Sequence, residues 1–347
     1  MERISKSNLF RGLVLALVVA ISGLTLAACG GGSGGGDGDL ANNGGGEGRA
    51  ITSENAAQVA GTTYRIGDLL YATAGSTVGI LDLKSPDARA DQARPGLAEL
   101  ALRRLLDLEG AQAGGSRFSA KAVHNFSEPC YYGGSYTETW NDADNSGELS
   151  TGDSGSVTFS NCEEEPGLRL NGSLGITNIV IAETAAKQSV GATFNFNQLA
   201  MIVDEATVTA HGDMSIQATV TQSPQLAYDM TVHGKSLGMS SGDLQTGLAS
   251  YNATVNVNYT HNTYAYAVGG TFSGTGMPTI TMATPTPFAG EIGAFPSTGV
   301  STATAADGTA ARLTVNSDTT VTVELDANGD AVFESSEQMT WEELADL

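Results

Sequence analysis

The chain has 347 residues, of which 41% are hydrophobic, 16% are charged and 44 are glycine. That is enough apolar material for a sizeable core and too little charge for a coiled coil, and the glycines carry no collagen period. Sixteen bases against 38 acids give a formal charge of −22, a surface that phosphate backbones repel, so nucleic acid is excluded as an expected partner.

Residues 1–28 have the layout of a bacterial export signal. Arg3, Lys6 and Arg11 form a basic start, and an apolar run from Leu13 to Leu26 follows, too short for a comfortable transmembrane helix. It ends in Leu26-Ala27-Ala28-Cys29. These four residues resemble the lipobox of bacterial lipoproteins: an aliphatic residue, two small residues, then the cysteine that accepts diacylglycerol. The resemblance implies cleavage before Cys29 and a triacylated, palmitate-type anchor at that residue. Each acyl CH₂ buried in a bilayer contributes about 0.8 kcal/mol, so several chains hold firmly. In that family an Asp directly after the cysteine favours the inner membrane. Gly30 stands there instead, which implies the outer membrane, on its periplasmic face or at the cell surface. Removal of 1–28 takes away three bases and one acid, Glu2, leaving 13 bases, 37 acids and a charge near −24.

Residues 29–50 form the lipidated cysteine and a Gly-rich tether. Its 19 residues from 30 to 48 span about 25 Å r.m.s. as a flexible coil. Gly31-Gly32-Ser33-Gly34-Gly35 fits a nucleophile motif by letter only, because composition alone produces it. Residues 51–115 read as a helical segment that packs on the body. Thr52 or Ser53 caps a first helix through Asn55–Ala60. Pro95-Gly96 opens a second, with Leu97, Ala101, Leu105 and Leu108 on one face and Gly110 at its end.

Residues 116–347 change to period two, and the expected fold is mainly β: a large antiparallel meander sheet of roughly a dozen strands. Barrel-like, sandwich and curved-sheet forms all fit the pattern. Val157 and Phe159 alternate with polar residues, as do Phe194 and Phe196, after which the parity shifts to Leu199, Met201 and Val203. Similar shifts occur across His211-Gly212-Asp213, His233-Gly234-Lys235 and His261-Asn262, and Asn328-Gly329 follows Leu325. Tight hairpins produce such shifts, so turns are expected at each. A membrane-spanning barrel is excluded by the lipobox and by the absence of aromatic girdles.

With Cys29 lipidated, Cys130 and Cys162 remain. An exported chain meets an oxidising compartment, so one disulfide is expected, closing a loop of about 33 residues with about 3 kcal/mol of stabilisation. Tyr131, Tyr132, Tyr136 and Trp140 cluster beside it, either packing around the disulfide or facing a sugar or other ligand.

The sharpest chemical constellation is Asp142, Asp144, Ser146, Glu148, Ser150 and Asp153. It resembles the EF-hand type calcium loop, with oxygen donors at loop positions 1, 3, 5, 7 (the carbonyl of Glu148), 9 and 12, and Gly147 where the backbone turns sharply. Strand-like flanks replace the helices, and Asp stands in place of the bidentate Glu, so the resemblance implies a calcium-fixed turn rather than an EF-hand pair. In Asp326-Ala-Asn328-Gly329-Asp330, Ala331 stands where that loop needs glycine, and a type I′ hairpin is the expected form.

Other motifs lack their context. Gly152-Asp153-Ser154-Gly155 resembles the nucleophile segment of chymotrypsin-like proteases, but Ser156 follows and the nearest upstream histidine, His124, is too close. Gly238-Met239-Ser240-Ser241-Gly242 has no parallel strand before it or helix after it. The four histidines have no zinc spacing.

The segments Cys130-Tyr-Tyr-Gly-Gly-Ser, Val157-Thr-Phe-Ser-Asn-Cys162, Leu170-Asn-Gly-Ser and Thr340-Trp341-Glu-Glu-Leu344 resemble a group of exported β-rich proteins of Gram-negative bacteria. That resemblance implies the fold and the disulfide and brings no activity. The expected function is a lipid-anchored, non-enzymatic binding or structural module with a protein, glycan or lipid ligand. A carboxylate-dependent hydrolase acting on carbohydrate and a ligand-carrying barrel are the alternatives.

Overall fold

The computed structural model describes residues 50–66, 123–146, 150–165, 168–203, 206–222, 225–241 and 244–345. The second helix expected at 95–110 lies outside them, as do Cys29 and the tether. Fourteen strands follow one another: β1 (Val123–Pro129), β2 (Gly133–Asn141), β3 (Ser154–Glu165), β4 (Leu168–Glu183), β5 (Lys187–Val203), β6 (Ala206–Thr221), β7 (Ala227–Ser241), β8 (Leu244–Asn258), β9 (Thr263–Gly274), β10 (Ile280–Glu291), β11 (Thr298–Ala305), β12 (Ala310–Val315), β13 (Thr320–Asp326) and β14 (Ser335–Thr340). Each pairs antiparallel with the next, in sequence order, within one sheet. The meander is therefore as expected: among the described residues there is one sheet, it is not closed, and β1 and β14 are its two ends. Local hairpins explain the order, since an antiparallel neighbour needs only a short turn. Between β4 and β5, Thr184 and Lys187 exchange backbone hydrogen bonds around a two-residue loop.

One face of this sheet is apolar and buried across its width. Phe159, Leu174, Phe196, Ile216, Met230, Val255, Tyr266, Met282, Leu313 and Val323 each come from a different strand. Period-two patterning places them there, as in β9, where Tyr264, Tyr266 and Val268 point inward between half-buried neighbours. Two short helices pack on the later strands: α1 (56–66) and α2 (Trp341–Ala345). Tyr64 of α1 sits edge-on to Phe288 of β10 and 4.5 Å from Trp341, which also stacks on Phe295. Arg65 donates to the carbonyls of Leu344 and Ala345, tying the two helices together.

The cap of α1 differs from the expected one. Asn55, not Thr52 or Ser53, precedes the first helical residue, and its Oδ1 reaches back to accept the Thr52 N–H at 2.8 Å. The carbonyl of Thr52 already accepts the N–H groups of Asn55 and Ala56, so the chain turns before the helix begins.

A larger correction concerns the parity shifts. Asn197-Gln198, His211-Gly212-Asp213 and His233-Gly234-Lys235 are not turns; they lie inside β5, β6 and β7. The first shift is a β-bulge, with a break in register between Phe196 and Leu199. The second coincides with a break between Gly212 and Ser215 in the pairing of β6 with β7. An extra residue in one strand reverses side-chain parity just as a hairpin does, but the chain keeps its direction. Asn161, Asn178, Gln198 and Ser250 occupy the left-handed region at four such breaks. Tyr251 stabilises one of the irregular stretches, its hydroxyl donating to the carbonyl of Asp213 at 2.7 Å. His261-Asn262, between β8 and β9, and Asn328-Gly329, between β13 and β14, do lie in hairpin connections as their sequences suggest.

Candidate functional site: two acidic loops

The Asp142–Asp153 segment joins β2 to β3. Trp140, near the end of β2, lies across Gly155 at the start of β3, bringing the two loop ends together. Asp142 and Asp153 are 7% and 3% exposed, unusual burial for carboxylates on a turn. Their oxygens are occupied by backbone donors. Asp153 accepts the N–H of Ala143 at 2.9 Å on Oδ1 and that of Ser150 at 2.7 Å on Oδ2, and Asp142 accepts the N–H of Ser146 at 3.1 Å. The Ser150 hydroxyl adds a bond to Asp153 at 3.3 Å. Asp144 accepts the Ser146 N–H at 3.0 Å, and hydrogen bonds from Ser146 hold its carboxyl below the ordinary value of 3.8.

Asp142, Asp144 and Asp153 each offer an oxygen within 4.8 Å of the others. Such a grouping suits a hard cation that takes carboxylate oxygens. Of the six residues expected from sequence, these three converge, Ser150 bonds to Asp153, Ser146 lends its backbone N–H, and Glu148 lies outside the described residues.

The second acidic segment, between β13 and β14, corrects the expectation of a type I′ turn. β13 ends at Asp326 and β14 begins at Ser335, leaving eight residues between them. Asp326, 2% exposed, collects three backbone donors: Asn328 at 3.3 Å, Gly329 at 2.7 Å and Ala331 at 2.8 Å. Asn328 accepts from Asp330 and Asp330 from Val332, each two residues on. Ala331, standing where glycine is the rule, takes φ +68°. Three charge-assisted bonds donated to Asp326 outweigh the strain of about 1 kcal/mol that a left-handed alanine costs. Asp326, Asp330 and Glu334 also present oxygens within 4.8 Å of one another. Sequence reasoning ranked this loop below the first because of that alanine; the buried aspartate at its head was the signal that identified it.

Arg312 of β12 fixes the second loop from the side. It pairs in bidentate fashion with Glu324 of β13, at 2.6 and 2.7 Å, while its guanidinium covers the Phe333 ring at 4.0 Å. Hydrogen bonding from Arg312 lowers the Glu324 carboxyl below its ordinary 4.5.

The expected disulfide joins Cys130, in the turn just past β1, to Cys162 in β3, with Cα atoms 5.4 Å apart. The aromatic cluster beside it divides. Tyr136 is buried and donates to Glu128 at 2.8 Å, and Trp140 is half-buried over Gly155, whereas Tyr131 and Tyr132 stand in solvent. Of the two serine motifs, Ser154 opens β3, and Ser240 lies within β7, which β8 follows. His211, His233 and His261 are exposed.

Compared with known proteins, the chain matches no family profile and no curated protein.

Proposed function

We propose that this chain is a lipid-anchored protein of the bacterial outer membrane whose sheet is a non-enzymatic binding or structural module, with calcium fixing its acidic loops. The single observation that carries the reading is the Leu26-Ala27-Ala28-Cys29 sequence behind an export signal. The disulfide between Cys130 and Cys162 supports it, because such bonds persist in oxidising compartments. The two loops support the calcium part: each packs three carboxylates within 4.8 Å around one or two buried aspartates, and a divalent cation relieves that repulsion. They lie at opposite rims of the sheet, since one follows an even-numbered strand and the other an odd-numbered one.

Two measurements test the reading. Metabolic palmitate labelling is expected to be lost in Cys29→Ser, with the variant released from the membrane fraction; label that persists in the variant removes the anchor. Calcium added to chelator-treated protein is expected to raise the melting temperature. A cation at about a hundred times its Kd adds about 2.7 kcal/mol, or about 5 °C for a chain of this size. Asp142→Asn and Asp326→Asn should each remove part of that rise. A melting temperature indifferent to calcium leaves both loops as plain turns.

A further inference from the structure

We infer that the Tyr131–Tyr132 tip is a membrane-contact wedge that rests in the interfacial layer of a zwitterionic bilayer. This rests on the anchor proposed above, and four observations carry it further.

The first is exposure. Tyr131 and Tyr132 are 79% and 53% exposed, and their rings meet edge to face at 4.8 Å. Covering two adjacent aromatic rings removes apolar surface from water and is favourable.

The second is rigidity. The Cys130 N–H donates to the carbonyl of Gly134, the Tyr132 N–H to that of Glu163, and the disulfide ties Cys130 to β3. The rings are held out by the sheet, so little ordering entropy is lost when they are covered.

The third is placement. In a meander paired in sequence order, every odd-to-even turn lies on one rim and every even-to-odd turn on the other. Tyr131 and Tyr132 join β1 to β2. The N–H of Ile51, where the chain arrives from the tether, donates to Thr309 in the turn joining β11 to β12. The rim that receives the tether is therefore the rim that bears the tyrosines. Val332, 59% exposed in the turn from β13 to β14, adds an apolar group there. About ten strand spacings of roughly 4.8 Å separate the two turns along the sheet. The 22 residues from Cys29 to Ile51 reach at most about 75 Å, so the whole rim can meet the surface to which the anchor is fixed.

The fourth is chemistry. Tyrosine has an apolar ring and a polar tip, the combination that suits the bilayer–water boundary. Apart from the carboxylates given to calcium, the same rim carries Glu163 near the end of β3 and Asp307 between β11 and β12, which repel anionic headgroups and leave the zwitterionic surface as the partner. The contact is weak on its own, and the anchor's effective concentration keeps it occupied.

The test uses the mature lipidated protein in phosphatidylcholine–phosphatidylethanolamine vesicles. Tyr132→Trp places a reporter at the tip, and Leu226→Trp places a control in the β6–β7 turn on the opposite rim. Lipids brominated near the headgroup should quench most of the added emission of Tyr132→Trp, shift it to shorter wavelength, and leave Leu226→Trp unchanged. Both positions are exposed, so both variants should melt with the parent. Protein that floats with the vesicles while neither reporter, or both equally, are quenched overturns the wedge and leaves the anchor standing. Protein that fails to float overturns anchor and wedge together. A tip reporter that stays open to aqueous quencher on vesicles yet is shielded on whole cells assigns the tyrosines to a protein or glycan and overturns the lipid assignment.

Discussion

Strands β4 to β8 run for 15 to 17 residues each, whereas β11 to β14 run for 6 to 8. In the long half, the register breaks between β3 and β4, β4 and β5, β5 and β6, β6 and β7, and β8 and β9. Registers between β11 and β12, β12 and β13, and β13 and β14 are unbroken. Strand twist accumulates with length, and a bulge bends the strand so that a long apolar face can stay on its core. Short strands accumulate little twist, and β11 to β14 pair with one another without such correction, while β11 meets the longer β10 through two breaks. Their core is instead filled by aromatic side chains from outside the sheet, Tyr64 of α1 and Trp341 of α2. The same periodic pattern is thus served by two devices that overlap at β10: backbone irregularity from β3 to β11, and a helical plug over β10 to β14.

The largest expected effect comes from removing the plug. Trp341 is 1% exposed, stacks on Phe295 at 5.4 Å and donates from its indole N–H to the carbonyl of Ser317. Trp341→Ala should cost about 4 kcal/mol, seen as a melting temperature about 8 °C lower. Amide exchange sharpens the comparison. Faster exchange confined to β10–β14 means the halves are separately stable units, and uniform acceleration means they unfold as one.

The bulges should be nearly as sensitive. Gly212 has φ +113°, and a Cβ there would lie 2.1 Å from the carbonyl oxygen of Ser236 on the next strand. A backbone oxygen cannot step aside as a side chain can, so Gly212→Ala is expected to cost about 3 kcal/mol. Gly293, φ +87° in the β10–β11 turn, has nothing within 4 Å of that position. Gly293→Ala should cost about 1 kcal/mol from left-handed strain alone. Equal losses in chemical denaturation would show that close approach at the bulge contributes nothing.

The bulges also mark where the sequence stopped being legible. Phe194, Phe196 and Leu199 all point inward, and their spacing of two and then three is compatible with either a turn or one extra residue. Nothing local separates the two readings, because a bulge and a hairpin both use small or polar residues at the break. Strand length decides it, and length is set by partners on neighbouring strands. The disulfide was legible because two cysteines allow one pairing. The first acidic loop was legible because its donors are contiguous in sequence. The second was obscured by Ala331, whose unusual backbone is imposed by Asp326 through bonds that residue type alone does not reveal.

The smallest effect tests whether the short half also relies on charge. Arg312 and Glu324 face each other across β12 and β13, with about a third and a fifth of their side chains exposed. Solvent screens such a pair, so its worth is at most about 1 kcal/mol despite the bidentate geometry. Because Arg312 lowers the folded-state value of Glu324, the pair's contribution is complete above the ordinary 4.5 and fades as pH falls through the lower, folded-state value. Glu324→Gln should therefore melt about 2 °C below the parent at neutral pH, and the difference should close as acid protonates the parent's carboxylate. A gap that persists undiminished in strong acid would mean that Glu324 acts through packing and its bond from Thr314 rather than through its charge, and that the short strands are held by their aromatic plug alone.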